Sequence, residues 1–290
     1  MSFKVQIKKK LRKNLFFFNI ILFLYKLVNF PKNLFKKFKS LSIKKKAFQE
    51  YERNSGILKI NYAGYDLKFK AISAKNYYHL ITGSQNEHLF FKKLFNKISD
   101  GMVVYDIGGH VGMYTLPFAK IVGKNGKVFV FEPDKNGYEA IKVNLDLNNI
   151  ENVKLFDCAM SDKSDLAEFF LRPDKDTHSL FEETLAPSKT GAQKKINVQS
   201  YTIDDLILRK LAPPPNFIKI DTEGAELKIL NGIKKNYSSL NYIFIEIHPN
   251  ALKLENILNP EEKVEEKLKE IGFNKFEYYD NIHLLAMKGD

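Results

Sequence analysis

From about residue 100 onward the apolar positions fall in short β-branched and aromatic runs, VVYDI, KVFVFE, VKLFDCAM, FIKID and YIFIEIH, with helical spacing between them. Such runs predict strands buried on both faces, and helical readings fall at 113–122, 135–148, 202–210, 225–235 and 259–271. The chain then closes on FNKFEYY and IHLLAMK, after Gly272 and with no long helix between them, which reads as a hairpin-like pair. The pattern predicts an α/β fold with a mostly parallel sheet and an antiparallel C-terminal edge. Upstream, GILKINYAGYDLKFKAIS alternates on both sides of Ala63-Gly64 and predicts a hairpin with one wet face. The spacing of Tyr78, Ile81, Leu89, Phe90, Leu94 and Phe95 predicts one or two helices between 76 and 98. Residues 172–200 are polar, without clear periodicity and long for a connection, so they are expected to form a lid or mobile insertion. Within it His178 and Ser179 either face substrate or stand in solvent.

The first strand leads into candidate chemistry. VVYDIGGHVGMYT, Val103 to Thr115, ends an apolar run on an acid and then on Gly108, Gly109 and Gly112. Glycines at a strand end let a ligand approach the backbone, and the N–H groups of the next helix can receive its polar atoms. The second run, KVFVFEP, stops on Glu132, where an acid can accept hydrogen bonds from both ribose hydroxyls of an adenosine or, less specifically, cap the next turn. Asp106 either receives a ligand amine or holds the glycine loop through its backbone N–H groups.

Charge changes the picture at the N-terminus only. The 290 residues carry a net charge of +12, yet residues 1–50 hold 14 of the 46 Lys and Arg and one of the 34 acids. The body is therefore nearly neutral, and a nucleic-acid reading of the whole chain loses its main support. The basic head interleaves its lysines with LFFFNIILFLY, Leu15 to Tyr25. As a helix, Leu15 to Phe30 would span about 24 Å, short of the roughly 30 Å hydrocarbon core of a bilayer. Beyond a break expected at Pro31, Leu34, Phe35, Phe38 and Leu41 share one helical face. We expect this segment to lie on an anionic membrane surface, with a helix packed on the body or a signal peptide as the competing readings. The single cysteine, Cys158, excludes an internal disulfide and is expected to be a buried packing residue.

The glycine loop, the Glu-Pro pair and above all FIKIDTEGAELKILNG, Phe217 to Gly232, followed by YIFIEIHP, resemble the FkbM-type family of S-adenosylmethionine-dependent methyltransferases over about residues 100–288. The resemblance implies a Rossmann-like class I methyltransferase fold with a seven-stranded sheet, and chiefly O-methylation, including that of sugar hydroxyls. Carried over by position, Asp106, Gly108 and Gly112 match the cofactor loop, with Gly109 and His110 standing where most relatives carry Ala-Asn. Glu132 matches the ribose-binding acid, and Asp157 or the Ala159-Met160 pair lies where the third strand ends near the adenine.

Asp221 and Glu223 follow the fourth strand, and Glu246 and His248 the fifth, so four polar groups converge on the crevice of such a fold. Methyl transfer to an alcohol needs orientation and removal of one proton. His248 is the first candidate base, on the argument that an imidazole titrates near neutral pH, and Asp221 the second. Glu223 either binds substrate hydroxyls or caps the helix that starts near Gly224, and Glu226 is expected to stabilise that helix's first turn. Asp221, Glu246 and His248 could also hold one divalent ion, but their spacing is no metal signature, and a metal is not favoured. There is no Gly-x-Ser-x-Gly elbow, Gly-Lys-Ser/Thr phosphate loop or Cys-x-x-Cys pair.

The expected organisation is a membrane-associating segment (1–50, with contact through 1–46), an accessory hairpin and helices (51–98) and a methyltransferase domain (99–290). The expected activity is methylation of a sugar hydroxyl on a cell-surface glycan or its lipid-linked precursor, at the cytoplasmic face of the membrane. Methylation of a small metabolite, peptide or RNA, and S-adenosylmethionine binding without turnover, are the alternatives.

Overall fold

A computed structural model describes residues 32–62, 64–86, 88–171, 194–235 and 237–289. The chain divides into two compact units, residues 1–50 and 51–290. Helix α1 (Lys32–Arg53) starts directly after Pro31, where a break is expected. The apolar run Leu15–Tyr25 lies outside the described residues, as do His178 and Ser179. Among the described residues no helix is long and apolar enough to cross a membrane.

The second unit opens with the hairpin β1 (Ile57–Tyr62) and β2 (Tyr65–Lys70), followed by α2 (Ala74–Asn86) and α3 (His88–Phe95). Strands and helices then alternate: β3 (Val103–Ile107), α4 (Thr115–Val122), β4 (Lys127–Phe131), α5 (Lys135–Leu147) and β5 (Val153–Phe156). After a small insertion come α6 (Ile203–Leu208), β9 (Phe217–Ile220), α7 (Glu226–Asn231), β10 (Tyr242–Glu246), α8 (Pro249–Leu254), α9 (Pro260–Ile271), β11 (Lys275–Tyr278) and β12 (His283–Met287). Seven of these strands form one sheet in the order β11-β12-β10-β9-β3-β4-β5. Pairing is parallel from β5 through β10, and the C-terminal edge is the antiparallel hairpin, whose β12 runs against both β10 and β11. The fold is thus the Rossmann-like α/β arrangement expected. All four residues of β9 are buried, as are four of five in each of β3 and β4, because helices cover both faces.

Strand order reverses between β3, which leads outward to β4, and β9, which leads outward to β10. The carboxyl ends of β3 and β9 therefore open a crevice between diverging loops, the usual ligand position of such sheets. Local sequence sets the edges of that crevice. Asp134 caps α5 by accepting from the Gly137 N–H, so β4 turns sharply at Glu132-Pro133. The hairpin is fixed to this half by side-chain amides on α5: Asn144 bonds the backbone of Lys70, and Asn148 that of Lys68.

Three local readings change. The expected single strand VKLFDCAM is two, β5 and β6 (Ala159–Met160), because the chain leaves the main sheet at Asp157-Cys158. The polar stretch expected to be loop through residue 200 ends in a strand, β8 (Lys194–Tyr201), which pairs with β6 and, antiparallel, with β7 (Leu166–Leu171). Ala159, Phe169 and Val198 form a separate small core beneath this three-stranded sheet. Helix α8, begun by Pro249 at its first position, was not among the expected helices.

Candidate active site

The glycine loop is held by buried charge. Asp106, wholly buried on β3, accepts from Thr115 Oγ1 at 2.6 Å and pairs with Lys219 Nζ at 3.2 Å. Lys219, on β9 and only 2% exposed, also donates to the Gly108 carbonyl at 2.8 Å and stands 3.5 Å from Asp221 Oδ2. Burial alone would depress the lysine's pKa; Asp106, then Asp221, reverse this and hold it above its ordinary value. Asp106 thus meets Thr115 and Lys219 rather than the loop's backbone N–H groups, and Lys219 ties the ends of β3 and β9 together. Sequence reasoning missed Lys219, although a lone lysine in the apolar run Phe217–Ile220 is itself a signal of a paired buried charge.

Loop geometry explains the glycines and the unusual histidine. Gly108 has φ +80°, and a Cβ there would meet the Asp221 carbonyl oxygen at 1.9 Å. Gly109 is closed differently: a Cβ would lie 2.4 Å from Val130 Cγ1 and 2.9 Å from Ile141 Cδ1, so these larger side chains occupy the volume an alanine would need. His110 has φ +51°, a left-handed position that Asn, Asp and His tolerate better than other side chains. Its backbone N–H, which does not depend on the side chain, donates to Glu132 Oε2 at 2.7 Å. The departure from Ala-Asn therefore leaves the backbone cradle intact.

Glu132 is buried, and its other oxygen, Oε1, accepts from the Asp134 N–H at 2.9 Å. Each oxygen keeps a lone pair beyond its backbone bond, which is what a pair of ribose hydroxyls requires. Burial pushes this carboxyl up to about 7, against the two backbone hydrogen bonds. Glu132, Gly108, Gly109, His110, Ala159 and Met160 all line one cavity of roughly 330 Å³. Asp157 does not line it. That residue is exposed at the point where the chain leaves the main sheet, while its neighbour Cys158 is buried, which raises the thiol to about 12. Neither Asp106 nor Gly112 lines the cavity, and α2 contributes Lys75, Asn76 and His79 to its wall.

Asp221, Glu223 and Glu246 line the same cavity. His248, at the start of α8, stands beside them: its Nε2 is 4.0 Å from Asp221 Oδ1, 3.7 Å from Glu223 Oε2 and 3.7 Å from Glu246 Oε1. Its Nδ1 lies 2.8 Å from Oε1 of the wholly buried Glu226, which also accepts from the Gly224 N–H. Glu226 therefore orients the imidazole as well as securing the first turn of α7. Glu246 Oε2 is 3.2 Å from His283 Nε2, and His283 Nδ1 is 2.7 Å from Asp280. Sequence reasoning passed over both His283 and Asp280.

The electrostatics correct the argument for a neutral histidine. Burial would lower the His248 pKa, but the Glu226 hydrogen bond, followed by the charges of Glu226, Asp221 and Glu223, raises it to about 10. Glu223 is raised as well, up to about 7, through burial and the nearby carboxylates, with His248 opposing. For Asp221, burial is outweighed by Lys219, then His248, and the carboxyl lies below its ordinary range.

The domain described as Methyltransferase FkbM matches residues 106–275. The chain belongs to the FkbM methyltransferase family. Among curated relatives, the hexuronic acid methyltransferase AglP of Haloferax volcanii is 24% identical over 188 residues, 64% of this chain and 72% of its own. Methyltransferase sdnD of Sordaria araneosa is 24% identical over 163 residues, 47% of this chain and 62% of its own. Among solved structures, an S-adenosylmethionine-dependent O-methyltransferase of Thermotoga maritima aligns over 80% of this chain and 77% of that chain, at 14% identity and a TM-score of 0.40. This FkbM-family protein is an S-adenosylmethionine-dependent methyltransferase.

Proposed function

We propose that the chain methylates a sugar hydroxyl of a cell-surface glycan or its lipid-linked precursor. One observation carries the hydroxyl part: the carboxylates of Asp221, Glu223 and Glu246 open into the cavity that holds the glycine loop and Glu132. A relative named as a hexuronic acid methyltransferase supports the sugar. The apolar, basic residues 1–46 support a cytoplasmic enzyme held peripherally on an anionic membrane, where lipid-linked precursors would be within reach.

In this reading Glu132 holds the ribose, Gly108 to His110 admit the cofactor to the backbone, and Ala159 and Met160 flank the adenine. When bound, S-adenosylmethionine supplies an electrophilic methyl group and a neutral thioether as leaving group. Glu223 takes the acceptor's proton, since its side chain is the most open of the cluster at 41% exposure and can pass the proton to solvent. Asp221, Glu246 and His248 orient the acceptor oxygen, and Glu226 fixes the imidazole from behind.

The test is transfer of labelled methyl from S-adenosylmethionine into extracts of a deletion strain by the purified full chain. Label is expected in glycan or lipid-linked sugar, as an alkali-stable ether. Label confined to protein, RNA or small metabolites would reject the acceptor. Flotation with anionic vesicles tests the head: the full chain is expected to float and a chain lacking residues 1–46 to remain below.

A further inference from the structure

We propose that Asp221, Glu246 and His248 form a binding site for one divalent cation of the manganese type. Asp221, Glu246 and His248 each offer one ligand atom, and the three atoms lie within 4.8 Å of one another. With two sides of 4.0 and 3.7 Å, such a triangle has its centre roughly 2.5 Å from every corner, close to the bonding range of hard cations. Two carboxylates and one imidazole, whose Nε2 gives up its proton on binding, suit a first-row ion such as manganese(II), and the open side toward the cavity leaves positions for oxygen ligands.

The atoms pointing away from that centre are secured. Asp221 Oδ2 faces Lys219, Glu246 Oε2 faces His283, and His248 Nδ1 meets Glu226, at 3.5, 3.2 and 2.8 Å. Three different elements thus turn one atom of each residue toward a common point, as outer partners do around metal ligands. A ring N–H facing only carboxylates would draw one of them to about 2.8 Å. Here all three stand off, at 3.7 to 4.0 Å. Beside Asp221, the Thr222 hydroxyl is buried in the cavity wall with no hydrogen-bond partner among the described residues.

The site rests on the hydroxyl-transfer reading for its purpose and deepens it. A cation here would hold the acceptor oxygen and make its proton easier to remove. The proton goes to Glu223, the oxygen forms a bond to the methyl carbon, and the carbon–sulfur bond breaks with its electron pair left on sulfur.

The test uses the full chain, stripped with a chelator and titrated with manganese(II) without any acceptor. Bound ion is read by electron paramagnetic resonance, and S-adenosylmethionine affinity is measured on the same samples. One ion per chain is expected for the wild type, with at least tenfold weaker binding by Glu246→Gln. His283→Gln, which leaves every ligand in place, is expected to weaken the ion severalfold, and cofactor affinity should stay within twofold in both variants. Absence of manganese binding by the wild type, or wild-type affinity in both variants, overturns the proposal. A wrong acceptor leaves this result untouched, and failure to bind manganese leaves the glycan labelling untouched.

Discussion

The two halves of the site are built by different means. On the β3–β4 side, main chain predominates: Glu132 is held by two main-chain N–H groups, and Gly108 to His110 line the cavity. On the β9–β10 side, side chains predominate. Asp221, Glu223, Glu246 and His248 are arranged by Lys219, Glu226 and His283, contributed by β9, α7 and β12. The comparison teaches that a group common to all reactions of a fold can be held by main-chain geometry, whereas a variable acceptor is met by side chains that can change without altering the loop. Lys219 joins the halves, because its ammonium faces Asp106 on one side and Asp221 on the other.

The largest effect should fall on the acceptor half alone. Glu223→Gln is expected to lower kcat by about 10²- to 10⁴-fold, with S-adenosylmethionine affinity unchanged by calorimetry. An equal loss in affinity would mean the halves are not separable there. Lys219→Met should damage both halves at once. It leaves Asp106 buried without its counter-ion, a change worth about 3–5 kcal/mol of stability, read from urea unfolding; a loss below 1 kcal/mol would contradict the linking role.

How far each half could be read from sequence follows the same division. Gly108, Gly112 and Glu132 announce themselves through local pattern, since a strand ending in glycines and a strand ending in an acid are readable within a few residues. Lys219 and His283 do not, because their meaning depends on partners up to 113 positions away, such as Asp106. The main sheet was legible for a physical reason too: strands buried on both faces are continuous apolar runs. Strand β8 sits in a small sheet on which Lys195 and Asn197 are exposed, so KKINVQSY reads as polar loop. Of the two alternatives at the third strand's end, Ala159-Met160 lines the cavity and Asp157 does not, because the chain there leaves one sheet for another, and no local signal distinguishes that step from a continuing strand.

Smaller effects sharpen the cofactor half. His110→Val places a β-branched residue at φ +51° and should cost about 1–3 kcal/mol, while His110→Asn should be near neutral in thermal unfolding. Equal losses in the two would show that the imidazole, not the backbone conformation, decides. pH gives the finest distinction. Glu132 has its pKa raised to about 7 in the folded chain, so below that value it is mostly protonated and cannot accept from both ribose hydroxyls. Affinity for S-adenosylmethionine should therefore rise about tenfold between pH 6 and pH 8, and a flat profile would remove the ionised carboxylate from binding.

Calorimetry of S-adenosylmethionine against wild type, Glu132→Ala and Glu223→Gln tests the division of the site most directly. The account predicts at least tenfold weaker cofactor binding for Glu132→Ala, from the loss of charge-assisted hydrogen bonds worth about 1.5–3 kcal/mol, and wild-type binding for Glu223→Gln. Unchanged affinity in Glu132→Ala, in a protein that remains folded, would contradict it.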